Sequence, residues 1–104
     1  MKRLAFKMHL KEGCKEEYRK RHAELWPEIE DLLKKAGISK YSIFLDEETN
    51  TLFAVQTLSQ EDGSQALGHE PIIQKWWDYM ADIMEVNPDN SPISEPLEEM
   101  FYLE

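Results

Sequence analysis

Basic residues are in short supply. The chain has 104 residues, and 12 lysines and arginines face 21 aspartates and glutamates, for a formal charge of −9. Binding to a phosphate backbone requires a basic face, so this balance argues against nucleic acid and anionic membrane as partners. The acid excess is spread along the chain and not gathered in a tail, which is the pattern of a solvated surface. Cysteine is nearly absent: Cys14 alone closes no intrachain disulfide, and nothing calls for an oxidising compartment. Four scattered glycines make no phosphate-cradling loop and leave a nucleotide cofactor without support. No apolar run reaches the length of a membrane span. Near the N-terminus, Lys2, Leu4, Phe6, Lys7 and Met8 alternate where a signal peptide would need an unbroken apolar stretch. These absences predict a cytoplasmic protein of one domain, residues 1–104, acting on a neutral or cationic small molecule.

Two further chemistries lack their parts. His9, His22 and His69 fall on different predicted elements, with no i, i+4 ligand pair and no cysteine cluster, so no metal site is expected. A serine nucleophile elbow is missing as well.

What is present is strong patterning. Residues 3 to 10 alternate, with Leu4, Phe6, Met8 and Leu10 on one side, and read as a half-buried strand. A helix follows from about Cys14 to Ala36, closed by Gly37, with Pro27 forcing a kink or a restart near Trp26. Tyr41 to Leu45 and Thr51 to Leu58 make a hairpin across a short polar link. Ser59 with Asp62 resembles a capping box, and Pro71 suits the first turn of a helix running to Met84. Asn87 to Pro92 is turn chemistry, and Leu97 to Leu103 reads as a last strand. The order β-α-β-β-α-β is the ferredoxin-like, split-βαβ pattern: an α+β fold with an antiparallel four-stranded sheet and its helices on one face. Leu4, Phe6, Tyr41, Phe53 and Phe101 occupy one set of strand positions, and Ala5, Phe44, Leu52, Ala54, Met100 and Tyr102 the alternates. Helices on one face cannot cover both sets, which predicts a homodimer of the dimeric α+β barrel type, packed through the sheets.

The residues able to carry chemistry are few. Tyr18 and His22 share the inward face of the first helix with Leu25, Ile29, Leu32 and Ala36, at about 100° per residue. A histidine there is either a core residue satisfied by a backbone carbonyl or a proton carrier, since its ordinary pKa lies near neutrality. Trp76 and Trp77 are about 100° apart on the last helix, so one of them should line a rim or cavity. Flat indole faces with an N–H handle suit a ligand with C–H faces and hydroxyl edges, which points to a sugar. Tyr41 is either strand packing or another wall of the same pocket. Asn87 to Pro92 is either a lid over that pocket or a turn into the last strand.

Taken together, Glu17-Tyr18 with Arg21-His22, Trp26-Pro27-Glu28, Trp76-Trp77 with Tyr79-Met80, the loop Asn87 to Pro92, and Phe101-Tyr102-Leu103 resemble the L-rhamnose mutarotase family over essentially the full length. The resemblance implies a dimeric isomerase that interconverts the α and β anomers of L-rhamnose without a cofactor. It implies His22 as the proton donor and Tyr18, Tyr41, Trp76 and Trp77 as sugar contacts. Two other classes remain open on the residues alone: a small monooxygenase of the same dimeric fold, and a sugar-binding module without turnover.

Overall fold

Alternation of apolar and polar residues builds the spine of the sheet. In the computed structural model, which describes residues 2–104, β1 is Lys2–His9, β2 is Ile38–Asp46, β3 is Thr51–Leu58 and β4 is Glu95–Leu97. The sheet is antiparallel throughout, in the order β2-β3-β1-β4. Phe6 pairs with Ala54 and Ala54 with Ile43, while Met8 pairs with Leu52 and Leu52 with Leu45. Directly opposed residues point the same way, so these form one inner face. Three helices pack there: α1 (Lys15–Ala23), α2 (Pro27–Lys35) and α3 (Pro71–Met80). A short 3-10 turn, Ser64–Leu67, links β3 to α3.

Register corrects the expected faces of β3: Leu52 and Ala54 lie inward with Phe6 and Met8, and not with Ala5 and Phe44. Phe53 pairs with Lys7 and with Phe44, so it lies on the outer face and not beside Phe6. Ala5, Phe44, Phe53, Val55 and Leu97 therefore share the side that no helix covers.

The expected first helix is two helices. Pro27 cannot donate a backbone hydrogen bond, and it opens α2 as its first residue, after an extended Trp26 at φ −64° and ψ 131°. Gly37, at φ +82°, ends the segment in the left-handed region, and its backbone lies so near Ser59 that an added Cβ would meet Oγ. Ser59 caps no helix: its hydroxyl donates to the Gly37 carbonyl at 3.3 Å. The last helix stops at Met80 and not at Met84, because Met84 leaves the helical path to bridge Leu10. The final strand, Glu95–Leu97, is short and meets the expected span of residues 97 to 103 only at Leu97. Ala5 faces Leu97; continued at that register, Met100 would fall opposite Lys2, and Tyr102 and Leu103 would run past the end of β1. Arg3 instead pairs with Glu99 and lies over the Tyr102 ring.

Arg21 joins α1 to the end of α3. Its guanidinium donates to the Tyr79 carbonyl at 2.7 Å and to the Asp82 carboxylate at 2.8 and 3.2 Å, and it also pairs with Glu17 at 2.8 Å. Bidentate, charge-assisted bonds of this kind fix orientation as well as distance. They set the two helices that frame the cavity described next.

Candidate functional site

A cavity of about 650 Å³ opens between the inner sheet face and the three helices. All five candidate residues, Tyr18, His22, Tyr41, Trp76 and Trp77, line it. Helical spacing accounts for the first pair. Tyr18 and His22 are one turn apart on α1 and their rings stack, with centroids 4.3 Å apart. Trp76 meets His22 edge to face at 5.5 Å. It also meets Trp26 at 5.1 Å and Tyr79 at 5.7 Å. Trp76 and Trp77 are both buried, at 8% and 7% exposure, and both reach the cavity, where the sequence pattern required only one to do so. Trp77 lies against Gly68 so tightly that an added Cβ would sit 2.5 Å from its ring.

The two readings of His22 turn out to be compatible. Its Nδ1 lies 3.1 Å from the Tyr18 carbonyl oxygen. A carbonyl only accepts, so Nδ1 carries the proton and Nε2 of the neutral ring keeps its lone pair. Among the described residues, no buried side-chain nitrogen or oxygen lacks a hydrogen-bond partner. Among the described residues, His22 Nε2, the Tyr18 hydroxyl and both indole N–H groups make no hydrogen bond, so each keeps access to the cavity or to solvent. Burial pushes the His22 pKa below 6.5, partly opposed by the bond to the Tyr18 carbonyl. The ring is therefore neutral at neutral pH. Burial, with Tyr41 nearby, pushes the Tyr18 phenol far up, so it stays protonated.

Tyr41 arrives through a local irregularity. Ser39 pairs with Thr57, but Ser42 pairs with Val55, so Lys40 and Tyr41 share the place opposite Gln56. Lys40 adopts φ +49°, and the bulge turns Tyr41 inward. There its hydroxyl lies 3.4 Å from Ser64 Oγ. Burial raises this phenol too, while hydrogen bonds from Ser64 and Gln56 pull the other way.

The loop from Asn87 to Pro92 is tied to α3 and largely to itself. Gln74 donates to the Asp89 carbonyl at 2.8 Å and Asn90 donates to the Asp78 carboxylate at 3.0 Å. Asn87 spends its amide on Ser91, and the Asp89 carboxylate accepts from the Ser91 backbone at 3.0 Å. Only Pro92 of this loop lines the cavity. Asp89 is thus bound within the turn and does not face the site.

Several lining or supporting residues are given no role at the site by the sequence pattern. Lys15 and Glu47 both border the cavity and form an ion pair between the start of α1 and the β2–β3 turn. Trp26 stacks on Tyr79 at 5.6 Å, and the Arg21 guanidinium lies 4.4 Å from the Tyr79 ring centre. Gln56 and Ser64 stand beneath Tyr41. A titratable base, neutral hydroxyls, indole faces and an apolar floor make a chamber suited to an uncharged polyhydroxylated ring. Among the described residues, no three His, Cys, Asp or Glu side chains are grouped to hold a metal ion, and no helix is long and apolar enough to cross a membrane.

The profile of the L-rhamnose mutarotase family matches residues 3–103. A protein of Formosa agariphila and one of Bacteroides thetaiotaomicron, both named L-rhamnose mutarotase, are each 64% identical to this chain over 104 residues, the whole of both sequences. A crystal structure of an L-rhamnose mutarotase from Formosa agariphila superposes with a TM-score of 0.91 at 60% identity, covering 100% of each chain.

Proposed function

The chain belongs to the L-rhamnose mutarotase family, and from that premise we propose how its own residues interconvert the α and β anomers of L-rhamnose. The observation that carries the reading is the neutral His22 ring, with Nδ1 held by a carbonyl and Nε2 open. Mutarotation needs a proton removed from the anomeric hydroxyl, O1, and a proton delivered to the ring oxygen, O5. His22 Nε2 takes the O1 proton. The C1–O5 bond breaks with its electron pair going to O5, and the imidazolium gives the proton to O5. Rotation about C1–C2 exposes the other face of the aldehyde, and the same steps in reverse close the ring. Donor and base are thus one residue at successive moments. Tyr18, protonated and one turn away, holds a sugar hydroxyl, while Trp76 and Trp77 pack the C–H face and the 6-methyl group.

The sign of the pH dependence follows from the depressed pKa. Proton removal needs neutral His22, so enzyme-dependent exchange should be flat from neutrality upward. It should fall only below pH 6.5, the ordinary histidine value, from which burial lowers this ring. NMR saturation transfer between the anomers, with the buffer rate subtracted, measures this profile. A rate that rises as pH falls through that range would contradict the assignment, and saturable binding without faster exchange would mark a binding module instead.

We further propose that the protein works as a cytoplasmic homodimer joined through the outer sheet faces. Its free cysteine, Cys14, suits a reducing compartment. Phe44 at 64% exposure and Val55 at 37% stand on the outer sheet face. Met100, Phe101 and Leu103 of the tail are at least 80% exposed as well. Apolar groups gathered in this way mark an interaction surface. Sedimentation at micromolar concentration should give twice the chain mass, and Phe44→Glu with Val55→Lys should give one chain mass. Monomeric wild-type protein would refute the pairing.

A further inference from the structure

The backbone at Gly68 does not call for glycine. Gly68 follows the short turn Ser64–Leu67 at φ −60° and ψ −17°, a right-handed helical conformation open to every L-residue. Alanine there would favour folding by restricting the unfolded chain, so what the glycine contributes is the space it leaves. Trp77 fills that space: a Cβ on Gly68 would lie 2.5 Å from Cζ3 and 2.8 Å from Cη2, the outer edge of the indole. The turn is held on both sides of this contact. Before it, the Ser64 N–H donates to the buried Gln56 side-chain oxygen at 3.1 Å. After it, the Glu70 N–H donates to the Leu67 carbonyl at 2.9 Å, and the Glu70 carbonyl accepts the first bonds of α3 from Ile73 and Gln74 at 3.1 Å. Trp77 itself belongs to the buried core, where neighbours pack at the density of a crystal. The vacant volume beside it is the cavity that it lines.

We propose that the notch at Gly68 seats the outer edge of the Trp77 indole and so sets how far that ring enters the cavity. The inference rests on the functional reading above, in which Trp77 packs against the sugar. Carbon atoms in ordinary contact stand about 3.5 to 4 Å apart, so a Cβ placed 2.5 Å from the ring drives the indole about 1 Å into the room the sugar takes. Among the described residues, Gly68 is not one that lines the cavity. It is a positioning residue that acts through Trp77. His22 stands outside this line of contact, since its ring rests on Tyr18 and Trp76. A wall that moves while the proton carrier stays in place weakens substrate and transition state alike, which raises KM and leaves kcat nearly unchanged.

The test is anomer exchange by saturation-transfer NMR over a range of L-rhamnose concentrations, on wild type, Gly68→Ala, Trp77→Phe and the double variant. Gly68→Ala should raise KM about 10- to 100-fold, the effect of overpacking a filled site by one methyl group, with kcat within about twofold of wild type. Phenylalanine lacks the outer edge of the indole, so in the Trp77→Phe background the same change should leave KM within about twofold. An unchanged KM in Gly68→Ala, the result if the turn yields in place of the ring, would overturn the proposal even if wild type exchanges L-rhamnose normally. So would a rise of the same size in both backgrounds, because the effect would not pass through the indole. A role confined to folding would lower the urea midpoint of Gly68→Ala and leave its KM alone, which is the first of these contrary results. Should Gly68→Ala fail to fold, the phenylalanine background decides: a folded double variant with the KM of Trp77→Phe supports the notch, and a raised KM overturns it. Wild type that exchanges no L-rhamnose would overturn the functional reading and this proposal with it.

Discussion

His22→Ala should lower enzyme-dependent exchange of L-rhamnose anomers by about 10²- to 10⁴-fold, the contribution of one positioned proton carrier. The fold should survive the change. His22 gives up a stack on Tyr18 and an edge contact with Trp76, and such aromatic pairs contribute about 0.5 to 1.5 kcal/mol each beyond their buried area. Urea unfolding alongside saturation-transfer NMR separates the two effects. Sugars anomerise slowly in water, so the residual rate should approach the buffer rate and not zero. An unchanged rate would move the proton to another group, and among the cavity-lining residues Glu47 would be the carboxylate to examine.

Trp76→Ala should cost about 3 to 5 kcal/mol of folding stability, the range for deleting a buried indole from a core. That is a large share of the roughly 5 to 15 kcal/mol that holds a domain of this kind together. The expectation rests on position: Trp76 touches His22, Trp26 and Tyr79 at once, so its loss removes the centre of an aromatic cluster and one wall of the cavity. Trp76→Phe keeps part of the volume and should cost less. Chemical denaturation measures both. Loss of under about 1 kcal/mol in the alanine variant would show that the surrounding rings collapse to fill the space.

Much of this arrangement is legible in the sequence, for reasons tied to particular residues. Alternation from residue 3 to 10 could only be a strand with Phe6 and Met8 inward. Pro71 and Gly37 punctuated helices because one lacks a donor and the other tolerates positive φ. The i, i+4 spacing of Tyr18 and His22 survived because both lie within one uninterrupted helix. Features that depend on register were not legible. Phe53 changed face because pairing with Lys7, and not alternation alone, decides which way it points. The bulge at Lys40 and Tyr41 leaves no mark on hydropathy, yet it puts Tyr41 opposite Gln56. Gln56 itself looks like a surface residue until its partner Ser64, eight residues on, folds back over it. The last strand was displaced for the same reason: it pairs with β1 at Glu95 to Leu97, ahead of the apolar tail that the pattern marked.

Histidine side-chain ¹⁵N NMR, recorded with and without L-rhamnose, probes the open Nε2 of His22 itself. At neutral pH this ring should be the neutral tautomer protonated at Nδ1, and its Nε2 signal should move on adding L-rhamnose while His9 and His69 stay in place. A ring protonated at Nε2 alone, or a His22 signal indifferent to sugar at concentrations that saturate exchange, would contradict the account.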